Sequence, residues 1–375
     1  MSHKPHARSS AARTIVLSAT LFVTAVLTAK TSLAEIVLAP AERRRGEMRH
    51  RTVAVMFLAA WLAMSLAETR QSWAQTKTAR IGMFTFEAGA EKQWLEPFFL
   101  RALVEQGWIE GKNVSLEYRT AVPNDSSQLA KTAADLVRLK VDVIFADSAP
   151  AVRAAYGATH TIPIVGIDFT NDPVAVGYAQ SYGRPGGNVT GVFLDAPEFA
   201  GKWLELLRAM IPSLTRVAVL WDPAPGRAHL EAVQHIAQTL HVQLQVLEVR
   251  NPDDIDRAFS EFRPQPQALI ALPSPMIYAQ SRQLAKLALE HRLPATSMAS
   301  LFAQAGGMLS YGPDAASAHE RGAVLVAKIL AGAKAGELPV ERPTKIQLIV
   351  NQKTARALGV IFPESILLRA DEVIR

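Results

Sequence analysis

One arrangement of segments occurs twice along the chain, and it restricts the fold more than any other feature. Residues 79–86 are a short apolar run led by Arg80 and closed by Thr85 and Phe86. Residues 216–221 repeat the placement, led by Arg216 and followed by the turn Trp221-Asp222-Pro223. Residues 114–118 alternate as a strand does, and residues 242–250 answer them. The run 142–150 ends Asp147-Ser148-Ala149-Pro150; the run 267–275 ends Leu272-Pro273-Ser274-Pro275. His160-Thr161-Ile162-Pro163-Ile164 is answered by His291-Arg292-Leu293-Pro294-Ala295. Helix-period stretches separate these segments, for example 94–106 with Leu95, Phe98, Phe99, Ala102 and Leu103 in phase. Strands alternating with helices imply a parallel sheet. Four correspondences in one order predict an α/β chain of two similar Rossmann-like lobes with parallel sheets, joined by a hinge.

The stretch 160–193 punctuates the first lobe. Thr170-Asn171-Asp172-Pro173 follows an apolar strand, and Arg184-Pro185-Gly186-Gly187-Asn188 precedes another. Glycine supplies positive φ and proline fixes φ, so both clusters are turns. Residues 306–312 form a further strand, 315–330 a helix, and 332–343 a Gly/Pro-punctuated linker. The division expected is lobe 1 at 79–192 plus 313–338 and lobe 2 at 193–312 plus 339–375. The crossings fall after 184–191, at Tyr311-Gly312 and in 339–345.

The net charge of +6 suggests a nucleic-acid partner until its distribution is read. Residues 1–74 hold ten of the 40 Lys and Arg and four of the 34 Asp and Glu, leaving 30 of each elsewhere. A nucleic-acid domain shows a basic footprint, and the main body has none. Residues 1–74 read instead as an export region. Met48-Arg49-His50-Arg51 is a basic head, 52–67 an uncharged apolar core, and Ser72-Trp73-Ala74 a small-residue cleavage site. A second apolar run at 14–29 leaves two readings open. Either translation starts at Met48, with a signal peptide at 48–74, or 14–29 anchors the chain. The sequence has no cysteine, which removes disulfides, thiol nucleophiles, cysteine-ligated metals and a lipid-bearing cysteine after the signal.

The main body offers no catalytic set. Its histidines, His160, His229, His235, His241, His291 and His319, lack metal spacing and read as surface or helix-end residues. No Gly-x-Ser-x-Gly elbow or phosphate loop is present. Neither a catalytic residue, a metal nor a cofactor is expected. Polar residues at strand ends are the candidates that remain, because open α/β sheets hold ligands there. Asp147, Asp168, Asp172 and Asp222 each have two readings, a cap of a turn or helix and a partner for a ligand ammonium. Asp172 stands out, since Pro173 could begin a helix whose free N–H groups face the same crevice. Ser148 and Ser274 occupy equivalent places before Pro150 and Pro275. Phe84, Phe86, Trp221 and Tyr311 end strands that border the crevice. The full ligand set expected is Phe84, Thr85, Phe86, Ser148, Ala149, Asp168, Asn171, Asp172, Trp221, Pro223, Ser274 and Tyr311.

Several strings resemble the periplasmic substrate-binding proteins of ABC importers, in the branch of tryptophan- and tyrosine-type binding proteins. They are Gln106 to Val114 (QGWIEGKNV), Asp142 to Pro150, Ile162 to Val165, Asn171-Asp172-Pro173, RPGGNVTG at 184–191, Val217 to Leu220 and LLRADEVI at 367–374. The resemblance covers nearly all of the chain from residue 80 onward. It implies a type I periplasmic-binding fold that holds a small molecule, an amino acid or related small carboxylate, between two lobes. It further implies an ABC permease partner in the inner membrane and a free monomeric protein of the periplasm, without enzymatic activity. A ligand-sensing module for a membrane receptor, and a secreted hydrolase or isomerase on the same frame, are the alternatives. The sequence departs from the usual pattern at Met83-Phe84-Thr85-Phe86-Glu87 and at Asp147-Ser148, both where ligand should sit.

Overall fold

The computed structural model describes residues 78–86, 90–122, 124–194 and 197–375, with main chain only at 90–95 and 197–198. The export region expected at 1–74 lies outside the described residues. No helix among them is long and apolar enough to cross a membrane.

The first sheet comprises β1 (Ala79–Phe86), β2 (Val114–Ala121), β3 (Val143–Asp147), β4 (Ile164–Asp168) and β5 (Val189–Phe193), in the order β2-β1-β3-β4-β5 and parallel throughout. Its crossovers hold α1 (Ala90–Glu105), α2 (Ser126–Arg138) and α3 (Ala149–Ala158). β3, β4 and β5 are apolar runs covered on both faces, as parallel strands are when helices flank the sheet. β2, at the edge, carries Ser115, Glu117 and Arg119 and is half exposed.

The chain then enters α4 (Pro197–Met210), β6 (Arg216–Trp221), α5 (Ala228–Thr239), β7 (Gln243–Glu248), α6 (Pro252–Glu261), β8 (Ala268–Ala271), α7 (Pro275–Ala279), α8 (Ser281–Glu290), β9 (Ala295–Ser297), α9 (Ser300–Gln304) and β10 (Leu309–Pro313). Next come α10 (Ala315–Leu330), a 3₁₀ turn at Ala335–Glu337, β11 (Ile346–Asn351), α11 (Gln352–Leu358), α12 (Glu364–Leu367) and β12 (Glu372–Ile374). The second sheet runs β7-β6-β8-β9-β10-β11-β12. Its first five strands repeat the order of the first sheet, and the paired strands are the four that the sequence matched. β11 departs from the expected parallel sheets: it is antiparallel to β10.

Each sheet is sandwiched. On one face of the first, Met83, Phe145 and Ile167 pack with Phe99 of α1 and with Ala323 and Val326 of α10. On the other, Phe84, Ile144 and Phe193 meet Leu136 of α2 and Val152 of α3. The second sheet buries Val219 and Ile270 against Trp203 and Leu207 of α4, and Leu220 and Leu269 against Phe259 of α6 and Leu284 of α8. So α10 crosses back from the second sheet to complete the first. β4 and β5 approach closely at Gly166 and Gly191. Gly191 has φ +146°, and a Cβ there would collide with the Gly166 backbone.

His229 is a helix-end histidine, as one of the two expected readings has it, but a buried one. It is 6% exposed, its ring stacks on Trp203 and its Nε2 has no hydrogen-bond partner. Burial disfavours the charged ring and lowers its pKa to about 4. The unfolded chain therefore takes up this proton at higher pH than the folded one. The contribution of neutral His229 is complete above its ordinary pKa and is lost as pH falls toward the folded value. We expect the wild type to lose about 2 kcal/mol more stability than His229→Leu between about pH 7 and about pH 5, read by urea denaturation at both pH values.

Candidate functional site between the lobes

In both sheets the strand order reverses beside the first strand, between β1 and β3 and between β6 and β8. At such a reversal the following crossovers depart to opposite faces and leave a crevice beyond the strand ends. The two crevices meet in one cleft of about 100 Å³. Lobe 1 supplies Asp147 to Pro150, Ile167 to Thr170, and Ala315 and His319 of α10. Lobe 2 supplies Pro225, Pro273 to Pro275, Tyr278 and Met298 to Leu301. Among the described lining residues there is no Lys or Arg. At the mouth, Arg153 donates to the Ala224 carbonyl at 2.9 Å, and Asn124 donates to that of Arg250. Both bonds join lobe to lobe.

Ser148 stands between β3 and α3 with φ +108° and ψ 160°. That backbone region is essentially glycine's, and a serine held there stores strain. The chain is pinned by the Ser148 N–H, which donates to the Ile167 carbonyl at 2.7 Å. The side chain makes no cap, and Oγ is buried without a hydrogen-bond partner. Ser274, its counterpart, is different. Its Oγ accepts from the N–H groups of Met276 and Ile277 and donates to Asp222. A hydroxyl has one proton and two lone pairs, so all of the capacity of Ser274 is committed within lobe 2.

Three carboxylates sit at strand ends under different constraints. Asp168 is fully buried and accepts from the Thr170 N–H (2.8 Å), the Thr170 hydroxyl (2.7 Å) and Asn171 Nδ2 (2.9 Å). Burial pushes its pKa up, and these donors counter part of the rise. Asp222 is likewise buried and pushed up, against bonds from Ser274 and the Ala224 N–H. Asp147, at the end of β3, is the more open. Its Oδ2 lies 3.0 Å from Nε2 of His319, while Nδ1 of that ring lies 2.7 Å from the Ala315 carbonyl.

Of the twelve candidates, Ser148, Ala149, Asp168 and Ser274 line the cleft. Asn171 stands behind Asp168 as its donor. Asp172 caps its own turn, accepting from Val174 and Ala175 N–H groups, and no helix starts at Pro173. Phe84 and Phe86 are core residues of lobe 1, and Thr85 is half-buried between them. Trp221 is half-buried under the Arg227 guanidinium, with Nε1 donating to the Gly226 carbonyl. Pro223 borders a separate groove with Asn124 and Arg250. Tyr311 packs on Phe199 within lobe 2. Sequence reasoning passed over Phe169, Tyr278, residues 298–301 and His319, and named Thr170 only as part of the turn 170–173. Met298 to Leu301 follow β9 as Phe169 and Thr170 follow β4, so the internal repeat carried the signal for both. Phe169 packs against the cores of both lobes. His319 had no local signal, because its partner lies 172 positions away.

The family described as ABC transporter substrate binding protein matches residues 97–374. The tyrosine-binding protein of Clostridioides difficile (strain R20291) is 25% identical over 266 residues, 70% of this chain and 75% of that protein. Among solved structures, a conserved domain protein from Vibrio cholerae superposes with TM-score 0.71 at 25% identity, over 79% of this chain and 100% of that one. An ABC domain from Streptococcus pneumonia in complex with L-Trp gives 0.72 at 22% identity, over 80% and 100%. A ligand-free, open substrate-binding protein from Clostridium difficile gives 0.57 at 23% identity, over 79% and 99%.

The strain at Ser148 is testable without any ligand. Ser148→Gly is expected to stabilise the protein by roughly 1 kcal/mol, since glycine adopts this backbone freely. Ser148→Ala, which keeps the strain, should not; urea denaturation separates the two.

Proposed function

The chain belongs to the ABC transporter substrate-binding protein family, and from that premise we propose that it captures an amino acid or related small carboxylate between its lobes and delivers it to a membrane permease. Its two-lobed frame is that of type I periplasmic-binding proteins, and proteins of this family are extracytoplasmic. One observation carries the reading: the two strand-order reversals open into the same cleft, so one ligand there touches both lobes. A ligand bridging two bodies stabilises their closed arrangement by its extra contacts, and this is how binding becomes a signal to a partner.

The cleft supports this in its chemistry. Ser148 offers an uncommitted hydroxyl, and the first turn of α3 opens beside it, which favours a carboxylate. Ile167, Phe169, Met298, Leu301 and Tyr278 give the apolar walls an aromatic or aliphatic side chain needs. The volume of about 100 Å³ is below the roughly 300 Å³ at which small-molecule sites begin. Ligand therefore enters with the lobes apart, breaking the Arg153 and Asn124 bonds. The relatives named for tyrosine and crystallised with L-Trp make an aromatic amino acid the first ligand to try.

In this reading the protein is exported to the periplasm, works as a monomer without a lipid anchor, and has lobes near 79–192 plus 313–338 and 193–312 plus 339–375. It performs no turnover. Ser148 and His319 share the cleft, but His319 is engaged with Asp147 and Ala315, so no nucleophile–base pair is assembled. Native mass spectrometry of protein purified from its host should reveal a bound small carboxylate, recovered chemically unchanged. Recovery of a converted product would favour an enzyme instead. With that ligand in hand, Ser148→Ala should weaken binding about fivefold, the loss of one hydrogen bond. Asp172→Ala should change affinity less than about twofold, both measured by calorimetric titration.

A further inference from the structure

We propose that the cleft selects ligands bearing a primary ammonium group, and that this ammonium takes the place of a proton shared by Asp147 and His319. The inference rests on the cleft being the ligand site.

The side chain of His319 is 5% exposed and forms part of the cleft wall. A carbonyl oxygen only accepts hydrogen bonds, so Nδ1, 2.7 Å from the Ala315 oxygen, carries a proton. Nε2 then faces Asp147 Oδ2 at 3.0 Å. A bare lone pair against a carboxylate oxygen would repel it, so a second proton occupies that contact. Phe145, edge-on at 5.7 Å, fixes the ring from below. Asp147 and His319 thus share one removable proton in that contact.

Among the described residues the surroundings supply no other mobile charge. From β4, Asp168 is saturated by Thr170 and Asn171. On α10 itself, Glu320 pairs with Arg101 of α1, and Arg321 with Glu341. Asp314, at the helix start, holds Lys345 at 2.6 Å. Across the cleft the only ionisable side chain on the described wall is Tyr278. Among the described carboxylates of the wall, Asp147, with its side chain 21% exposed, is the one a ligand can reach.

An ammonium has three donors and no acceptor. If the shared proton stayed, ammonium and imidazolium would crowd one carboxylate in a poorly screened cleft. Its departure to solvent leaves two acceptors side by side, Asp147 Oδ2 and His319 Nε2, and the ammonium donates to both. The balance is one cation bound and one proton released. Affinity therefore rises with pH, by up to about tenfold per unit while the free pair is protonated.

Calorimetric titration in phosphate and in Tris at one pH tests this, because a released proton adds the buffer's heat of ionisation. The probes are L-tryptophan, L-tyrosine and their deaminated acids, indole-3-propionate and 3-(4-hydroxyphenyl)propionate. The amino acids should give heats that differ between buffers, with up to one proton released. The deaminated acids should bind at least tenfold more weakly and without a buffer difference. His319→Gln should retain amino-acid binding and lose the buffer difference; the wild-type comparison stands whether or not that variant folds. Deaminated acids that bind as tightly, or amino-acid heats identical in both buffers, would overturn this inference alone. Failure of all four probes to bind would overturn it together with the amino-acid reading.

Discussion

The cleft depends on the reversal of strand order that each lobe contains once. A right-handed crossover sends each helix to the face set by the direction of the strand order. Where that direction changes, neighbouring helices part and the strand ends between them are left open. Lobe 1 opens beside Asp147 and Ser148, and lobe 2 beside Pro273 and Ser274. Because the order is duplicated, the two openings are equivalent, and the crossings after Phe193 and Pro313 let them face each other. Return of α10 to the first sheet puts His319 on the wall.

The strand-end carboxylates illustrate how such a crevice stays polar without unfolding. Burying a carboxylate is costly unless donors meet it. Asp168 is met from its own turn, and Asp222 from a neighbouring strand end and from Asn124 of the other lobe. Asp147 is met by a histidine from a helix far along the chain. The first two hold turns in shape. The third is open on its solvent side and is the one able to exchange partners. Ser148 adds a strained backbone and a free hydroxyl at the same spot. Ser148 lies further from ordinary backbone than Lys140, whose φ of 54° is an ordinary left-handed turn, and strain kept there marks the position as serving something other than stability.

Most of the fold was legible because apolar periodicity and turn residues are local signals. The four repeated segments gave four strands in each lobe and the similarity of the two lobes, and the helix at 315–330 was read with its observed limits. The antiparallel β11 was not legible, since no periodicity separates parallel from antiparallel pairing for one late strand. Ser148, Ala149, Asp168 and Ser274, chosen from their places at strand ends, line the cleft. Phe84 and Phe86 were placed there by the same logic, but β1 lies between β2 and β3, and its large apolar side chains fill the core under α2 and α3. Asp172 lies outside the cleft lining for a local reason. Its carboxylate satisfies the turn at Val174 and Ala175, and the chain does not go on into a helix. His319 was beyond reach, because a histidine on a helix reveals its partner only when the second sheet returns the chain to the first.

A crystal structure of the protein with L-tryptophan or L-tyrosine bound tests the central claim most directly. The account predicts electron density for the amino acid between the lobes, touching Ser148 from lobe 1 and the wall formed by Tyr278 and Met298 from lobe 2. Density confined to one lobe, or lying in the groove at Pro223 and Arg250, would contradict it.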